Sequence, residues 1–265
     1  MSRITANGID VTYELSGAPD APVVTLSHSI TTDLSMWDPQ LAQLNARFQV
    51  LRYDTRGHGG TDAPAGPYSL EQLAEDVRAL LEALAIERTY FVGISMGGMI
   101  GQTLALAHPE LLAGLVLCDT SASIPPEAGP VWDERIEAAR AGGMQVHVEA
   151  TIGRWFTPGF ISARPDLVEP VRAMIRATPV EGYIGCAEAI KLLNLLERLP
   201  GIAVPTLVVV GAEDPGTPPA AARAIQQRIR GAELVVIESA SHLCNIEQPE
   251  AFNQALLGFL GRLSP

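Results

Sequence analysis

Three residue types able to activate one another stand far apart in this chain: a serine, an aspartate and a histidine. Ser95 lies in Gly93-Ile94-Ser95-Met96-Gly97, after the apolar run Thr89-Tyr90-Phe91-Val92 and before a helical pattern that begins at Met96. A strand-to-helix turn this tight excludes bulk two residues before and two after the serine, and it exposes the hydroxyl above the sheet. The free N–H groups and dipole of the helix start favour negative charge there. Chance supplies Gly-x-Ser-x-Gly in roughly one chain in ten of this length. An ordinary glycine-rich turn is therefore the competing reading of the motif alone.

A serine hydroxyl is a poor nucleophile and needs a base, which in turn needs an orienting acid. Behind such an elbow the partners follow in the order serine, acid, histidine. Asp214 follows an apolar run in Gly211-Ala212-Glu213-Asp214-Pro215, and His242 follows another in Ser239-Ala240-Ser241-His242. Of the five histidines, His28 and His58 also follow strand-like runs, while His108 and His147 lie in helical contexts. Only His242 has the required place in the chain order, and His58 reads as a loop-building residue. Glu213 and Asp119 are the alternatives to Asp214 as the acid. The oxyanion of a tetrahedral intermediate needs two donors. The expected pair is the backbone N–H groups of Met96 and Ile30, the latter in Ser27-His28-Ser29-Ile30.

The elements around these residues predict an α/β fold. The chain alternates around Asn7-Gly8 as a β-hairpin does. Strand patterns follow at 22–26, 48–53, 89–92, 115–117, 205–210 and 234–237. A helix begins after Ser69, with Gln72 at the capping-box position and Leu70, Leu73, Val77, Leu80, Leu81 and Leu84 on one face. The alternation predicts a mostly parallel sheet with helices on both faces. It breaks after Asp119 and resumes near Pro205. The expected division is therefore a core of 1–120 and 200–265 with a helical cap at 121–199, over the strand ends where such sheets bind ligands.

Bulk properties restrict the partners. The chain has 265 residues, 47% hydrophobic and 18% charged, so it is expected to be globular. Its net charge of −12 argues against nucleic-acid binding. No apolar run approaches the roughly 20 residues of a membrane span, and the first residues lack a signal-peptide pattern. A cytoplasmic protein with no membrane partner is expected. Cys118, Cys186 and Cys244 show no metal spacing and read as small buried residues. The region 120–200 carries 8 basic and 10 acidic residues against a balance of −10 elsewhere, so it is the better place to hold an anion.

Six segments sharpen this reading: 32–40, 52–59, 95–99, 154–157, Gly182-Tyr183 and 211–214. They include Asp33, Trp37, the Asp54-Thr55-Arg56-Gly57-His58-Gly59 loop and Arg154-Trp155-Phe156-Thr157. Together they resemble bacterial 3-oxoadipate enol-lactonases of the α/β-hydrolase fold, along the whole chain. One departure is His28-Ser29, where many of these hydrolases carry His-Gly. The resemblance implies hydrolysis of a small anionic lactone in aromatic-compound catabolism, through an acyl-enzyme on Ser95, with no metal or other cofactor. It also implies a group for the substrate carboxylate, a task suited to arginine. Arg135 and Arg154 are preferred among the basic residues of 121–199 because each neighbours a tryptophan. Trp37, Trp132 and Trp155 are candidates for the pocket wall or for plain core packing. Rival readings are a general carboxylesterase, a C–C hydrolase, a perhydrolase, or a non-catalytic small-ligand receptor on this fold. The oligomeric state is not legible.

Overall fold

A computed structural model describes residues 1–264. Strands β1 (Ser2–Ala6) and β2 (Ile9–Ser16) form an antiparallel hairpin. Asn7 and Gly8 both take positive φ at its tip, as a two-residue turn between right-twisted strands requires. The chain then runs through β3 (Val23–Ser27), α1 (Asp38–Leu44), β4 (Gln49–Tyr53), α2 (Leu70–Ala83), β5 (Thr89–Ile94), α3 (Met96–Ala107) and β6 (Leu112–Cys118). Five helices follow: α4 (Gly129–Gly142), α5 (Val148–Trp155), α6 (Pro158–Ala163), α7 (Pro165–Ala177) and α8 (Val180–Lys191). The sheet resumes with β7 (Thr206–Gly211), α9 (Pro219–Arg228) and β8 (Glu233–Ile237), and α10 (Cys244–Glu247) and α11 (Pro249–Leu263) close the chain.

The eight strands lie in the order β1-β2-β4-β3-β5-β6-β7-β8, parallel from β4 to β8. Every residue of β5 and β7 is buried, as expected of a sheet covered on both faces. Strand alternation shows which helices cover which face. Gly101 of α3 packs on Phe91 and Leu115, whereas Leu263 of α11 reaches Tyr90 and Gly114, the residues one position earlier in the paired strands. The predicted helix after Ser69 is present. Its cap hydroxyl accepts the Gln72 N–H at 3.1 Å, a contact that contributes about 1 kcal/mol.

The strand order reverses at β3. Its following connection leads to β4 on one side, and β5 lies on the other. Loops leaving β3 and β5 therefore separate and open a crevice at the strand ends, the place where ligands enter such sheets. The segment between β6 and β7 is helical, with an isolated bridge between Ser123 and Asn194 as its one strand-like pairing among the described residues. Its apolar residues, including Ile136, Val148, Ile152 and Val171, join the same hydrophobic cluster as the sheet. Two glycines bring it close: a Cβ on Gly57 would stand 2.4 Å from the Gly182 Cα. All three cysteines are buried free thiols. Among the described residues no helix is long and apolar enough to cross a membrane.

Candidate active site

Ser95 sits at φ 54° and ψ −115°, a backbone conformation that L-residues adopt only under constraint. The surroundings supply that constraint. The Ser95 N–H donates to the Cys118 carbonyl at 2.8 Å, and its carbonyl accepts the Thr120 hydroxyl at 2.7 Å. The flanking glycines leave no space for a side chain. A Cβ on Gly93 would lie 2.1 Å from the Gly97 carbonyl oxygen, and one on Gly97 would lie 2.2 Å from that of Ser27. The turn thus lifts the Ser95 side chain out of the sheet into a cavity of about 380 Å³, which Ile30, Asp214 and His242 also line. That volume lies within the range of about 300–1,000 Å³ common for small-molecule sites.

The loop after β7 carries Asp214 and the loop after β8 carries His242. Their side chains meet, with His242 Nδ1 2.7 Å from Asp214 Oδ2. The aspartate is fixed by its own turn: Oδ1 accepts the N–H groups of Gly216 and Thr217 at 2.7 and 3.1 Å, and Oδ2 accepts the Thr217 hydroxyl at 2.6 Å. Burial alone would raise the Asp214 pKa. The charge and hydrogen bond of His242, with the Thr217 donors, hold it down at about 2. An ionised carboxylate can only accept, so Nδ1 carries the proton and Nε2 of the neutral ring keeps its lone pair.

Burial likewise pushes the His242 imidazole down. The Asp214 charge and hydrogen bond, helped by Asp119 and opposed by Arg154, reverse this and raise its pKa above 6.5. A base must be neutral to take a proton. The rate kcat/KM is therefore expected to rise with pH through an apparent pKa above 6.5, lost on the acid side as His242 protonates. A rate–pH profile whose acid limb falls below pH 6 would contradict this.

The structure separates Asp214 from the alternative acids. Glu213 is exposed. Asp119 is fully buried, but its oxygens accept the Gly211 N–H at 2.7 Å and the Cys244 thiol at 2.8 Å. Burial, then the Asp214 charge, pushes Asp119 up to about 8. The other histidines also find separate places. The His28 ring accepts the Thr55 N–H at 2.9 Å, and the His58 ring accepts the Thr31 N–H at 3.0 Å, so both tie loops together. Burial, and then the neighbouring His28, drives His58 down to about 3. His108 pairs with Glu75 at 2.5 Å, beyond α3.

This loop-tying leaves one donor free on a residue that lines the cavity. Ser29 N–H is engaged by the Met36 sulfur at 3.4 Å and Thr31 N–H by His58. Between them, Ile30 N–H has no acceptor among the described residues. Met96 N–H belongs to the first turn of α3, whose donors lack intrahelical partners. Ile30, on the loop leaving β3, lines the cavity that Ser95 enters, and Met96 follows Ser95 directly at the start of α3.

The helical segment forms the rest of the wall, through Trp132, Arg135, His147, Arg154, Trp155 and Tyr183 among others. Of the eight cationic residues of this segment, Arg198 is exposed and outside the cavity, and the other seven divide into two groups. Arg140, Arg164, Arg172, Arg176 and Lys191 each pair with a surface carboxylate. Arg135 and Arg154 pair with none among the described residues. Arg135 lies 5.0 Å over the Trp132 ring, and Arg154 reaches the Thr151 hydroxyl at 3.3 Å. Burial, then repulsion from Arg135, lowers the Arg154 pKa. An anion between them would relieve both effects.

Trp37 corrects an expectation. It does not line the cavity: it is fully buried and packs on Phe252, 6.2 Å between ring centroids, because α1 docks against α11. Sequence reading gave no role to Thr217, Tyr183 or His147. Thr217 was detectable, since an aspartate followed by Pro-Gly-Thr favours a turn in which its carboxylate accepts the next N–H groups. Nothing in the sequence marks His147, whose Nε2–H donates to the Arg135 carbonyl at 2.9 Å.

Known proteins share this fold. A family model described as the alpha/beta hydrolase fold matches residues 22–249. The chain is 38% identical to 3-oxoadipate enol-lactonase 2 of Acinetobacter baylyi, over 98% of this chain and 97% of that protein. The crystal structure of the enol-lactonase from Burkholderia xenovorans LB400 superposes with a TM-score of 0.95 at 42% identity, covering 98% of this chain and all of that one. A thermophilic esterase from Thermogutta terrifontis reaches a TM-score of 0.95 at 31% identity, with both chains fully covered. Strand order, elbow and family match converge: this chain is a member of the α/β-hydrolase fold family.

Proposed function

We propose that this protein hydrolyses 3-oxoadipate enol-lactone to 3-oxoadipate, a cytoplasmic step in the breakdown of aromatic compounds. The observation that carries the proposal is the pair of arginines with no carboxylate partner among the described residues, Arg135 and Arg154, in the cavity that holds Ser95 and His242. The likeness to enol-lactonases supports the same substrate. Ser95 Oγ attacks the lactone carbonyl while His242 Nε2 takes its proton, and the oxyanion forms between the N–H groups of Ile30 and Met96. The ring C–O bond breaks toward oxygen. His242 returns the proton to that enolate, leaving an acyl-enzyme. Water, deprotonated by His242, attacks the acyl carbon and frees Ser95 and the carboxylate. The released enol rearranges to the ketone, which makes the overall reaction effectively one-way.

The acidic protein gives the anionic substrate no long-range attraction. Recognition is local: Arg154, with Arg135, binds the carboxylate, and residues 121–199 act as a cap over a core of 1–120 and 200–265. Arg154→Met removes a charge-assisted hydrogen bond, a loss of about 2 kcal/mol or roughly 30-fold. It is expected to cut kcat/KM for the enol-lactone by that factor and to change a neutral ester less than threefold.

The likeness to an esterase, with apolar wall residues such as Met99, Ile124 and Ile190, favours a general carboxylesterase as the second reading. Steady-state assays of the enol-lactone beside neutral lactones and p-nitrophenyl esters decide between them. Faster turnover of the neutral esters, indifferent to Arg154→Met, would select the esterase.

A further inference from the structure

His242 is flanked by two residues that both bond the run carrying Arg154. The Ser241 hydroxyl donates to the Arg154 carbonyl at 2.9 Å. The Leu243 N–H donates to the Trp155 carbonyl at 3.1 Å. Between these contacts the Trp155 ring stacks on the imidazole, with centroids 5.7 Å apart and planes 28° apart. Both runs converge on one buried carboxylate, Glu247, which is 5% exposed. One of its oxygens accepts the Ser241 N–H at 2.9 Å. The other accepts the Thr157 N–H at 3.0 Å, from 90 residues away in sequence, and the Thr157 hydroxyl.

A buried carboxylate is costly unless donors surround it. Here three donors do so, and they come from only two places: the residue before His242 and the residue three after Arg154. Space-filling alone would be met by an apolar side chain. A carboxylate joins two separate backbones, because each oxygen takes a donor from a different one. The same join reaches the acid loop, since the Ser241 hydroxyl also lies 3.4 Å from the Glu213 carbonyl and Glu213 N–H bonds the Ala240 carbonyl at 2.9 Å.

We infer that Glu247 is a positioning residue that locks the His242 loop and the Arg154–Thr157 run into one register, so that the base and the carboxylate clamp are set together. The inference rests on the roles given to His242 and Arg154 above. Its consequence concerns specificity. The span from the reacting carbonyl to the substrate carboxylate is set by this joint, and a displacement of about 1 Å there is enough to cost on the order of 10²-fold in rate.

Glu247→Gln tests it. Glutamine keeps the volume but turns one acceptor into a donor, so either the Ser241 or the Thr157 arm must open. Three quantities are measured against wild type: kcat/KM for the enol-lactone, kcat/KM for p-nitrophenyl acetate, and the rate at which a neutral fluorophosphonate labels Ser95. The lactone kcat/KM is expected to fall at least tenfold, the lactone-to-ester ratio at least fivefold, and labelling at least threefold. Ser241→Ala, which cuts the hydroxyl links to the Arg154 and Glu213 carbonyls and leaves the Glu247 bonds in place, should lower the lactone-to-ester ratio in the same direction. A ratio within twofold of wild type in both variants overturns the inference, whatever happens to thermal stability. Wild-type enzyme with no preference for the lactone, or a preference that Arg154→Met leaves intact, would instead overturn the substrate reading. Labelling then decides for Glu247 alone: slower labelling at unchanged Tm supports the joint, and unchanged labelling rejects it.

Discussion

The Ser95→Ala variant is expected to lose on the order of 10⁵- to 10⁶-fold in kcat while its Tm and substrate affinity stay near wild type. Removing the nucleophile of a Ser-His-Asp unit abolishes the covalent route, and what survives is the contribution of oxyanion donors and binding. The fold should tolerate the change. The Ser95 hydroxyl holds no hydrogen bond among the described residues, and the strained backbone is fixed by main-chain contacts to Cys118 and Thr120 that alanine keeps. The measurement is steady-state hydrolysis of the enol-lactone and of p-nitrophenyl acetate, with fluorophosphonate labelling as a parallel readout. Residual turnover above about one part in a thousand, or labelling that persists in the variant, would mean that another group attacks the substrate.

For Asp214→Asn the expected loss in kcat is about 10⁴-fold. The amide nitrogen of asparagine would donate toward Nδ1. That favours the tautomer with the proton on Nε2, where it cannot accept one from Ser95. The loss of charge also removes the main force that holds the His242 pKa above its ordinary value against burial. Asp119 cannot take over, because both of its oxygens are committed, to Gly211 N–H and to the Cys244 thiol. The decisive comparison is Asp119→Asn under the same assay. Were Asp119 the working acid, its variant would show the larger loss.

The sheet and the elbow were legible because their signals are local. Apolar runs of five or six residues mark strands buried on both faces, and the glycine spacing around Ser95 answers contacts within a few residues. The order of Asp214 and His242 follows from strand order, so the two positions could be named before any distance was known. The choice between Asp214, Glu213 and Asp119 could not be settled in this way. All three follow strands, and only the Gly216 and Thr217 N–H groups and the His242 ring distinguish the first.

The wall of the cavity was half legible. Arg140 and Arg172 have an acid three positions away on their own helices, whereas Arg135 and Arg154 have none three or four positions away. That difference is only a partial sign of a cation left for something else, because Arg164 and Arg176 also lack such an acid and pair instead with Asp166 and Glu169, two and seven positions away. The tryptophans give no such sign. Trp37 and Trp155 are equally apolar, and what separates them is the docking of α1 on α11, a contact made some 200 residues apart in sequence. Glu247 was invisible for the same reason, since its role is defined by Thr157 and Ser241 and by nothing beside it.

The close approach of Gly57 to Gly182 has a meaning for laboratory evolution of this scaffold. The helical segment touches the core there through bare backbone, and Gly66 against the Gly185 Cα repeats the arrangement. A library that varies these positions would mostly sample chains whose helices cannot seat. Variation at Ile124, Val131 and Ile190, which line the cavity away from that seam, changes the shape offered to a ligand while the seam stays intact. The molecule thus separates the part that must be inherited from the part that can be redesigned.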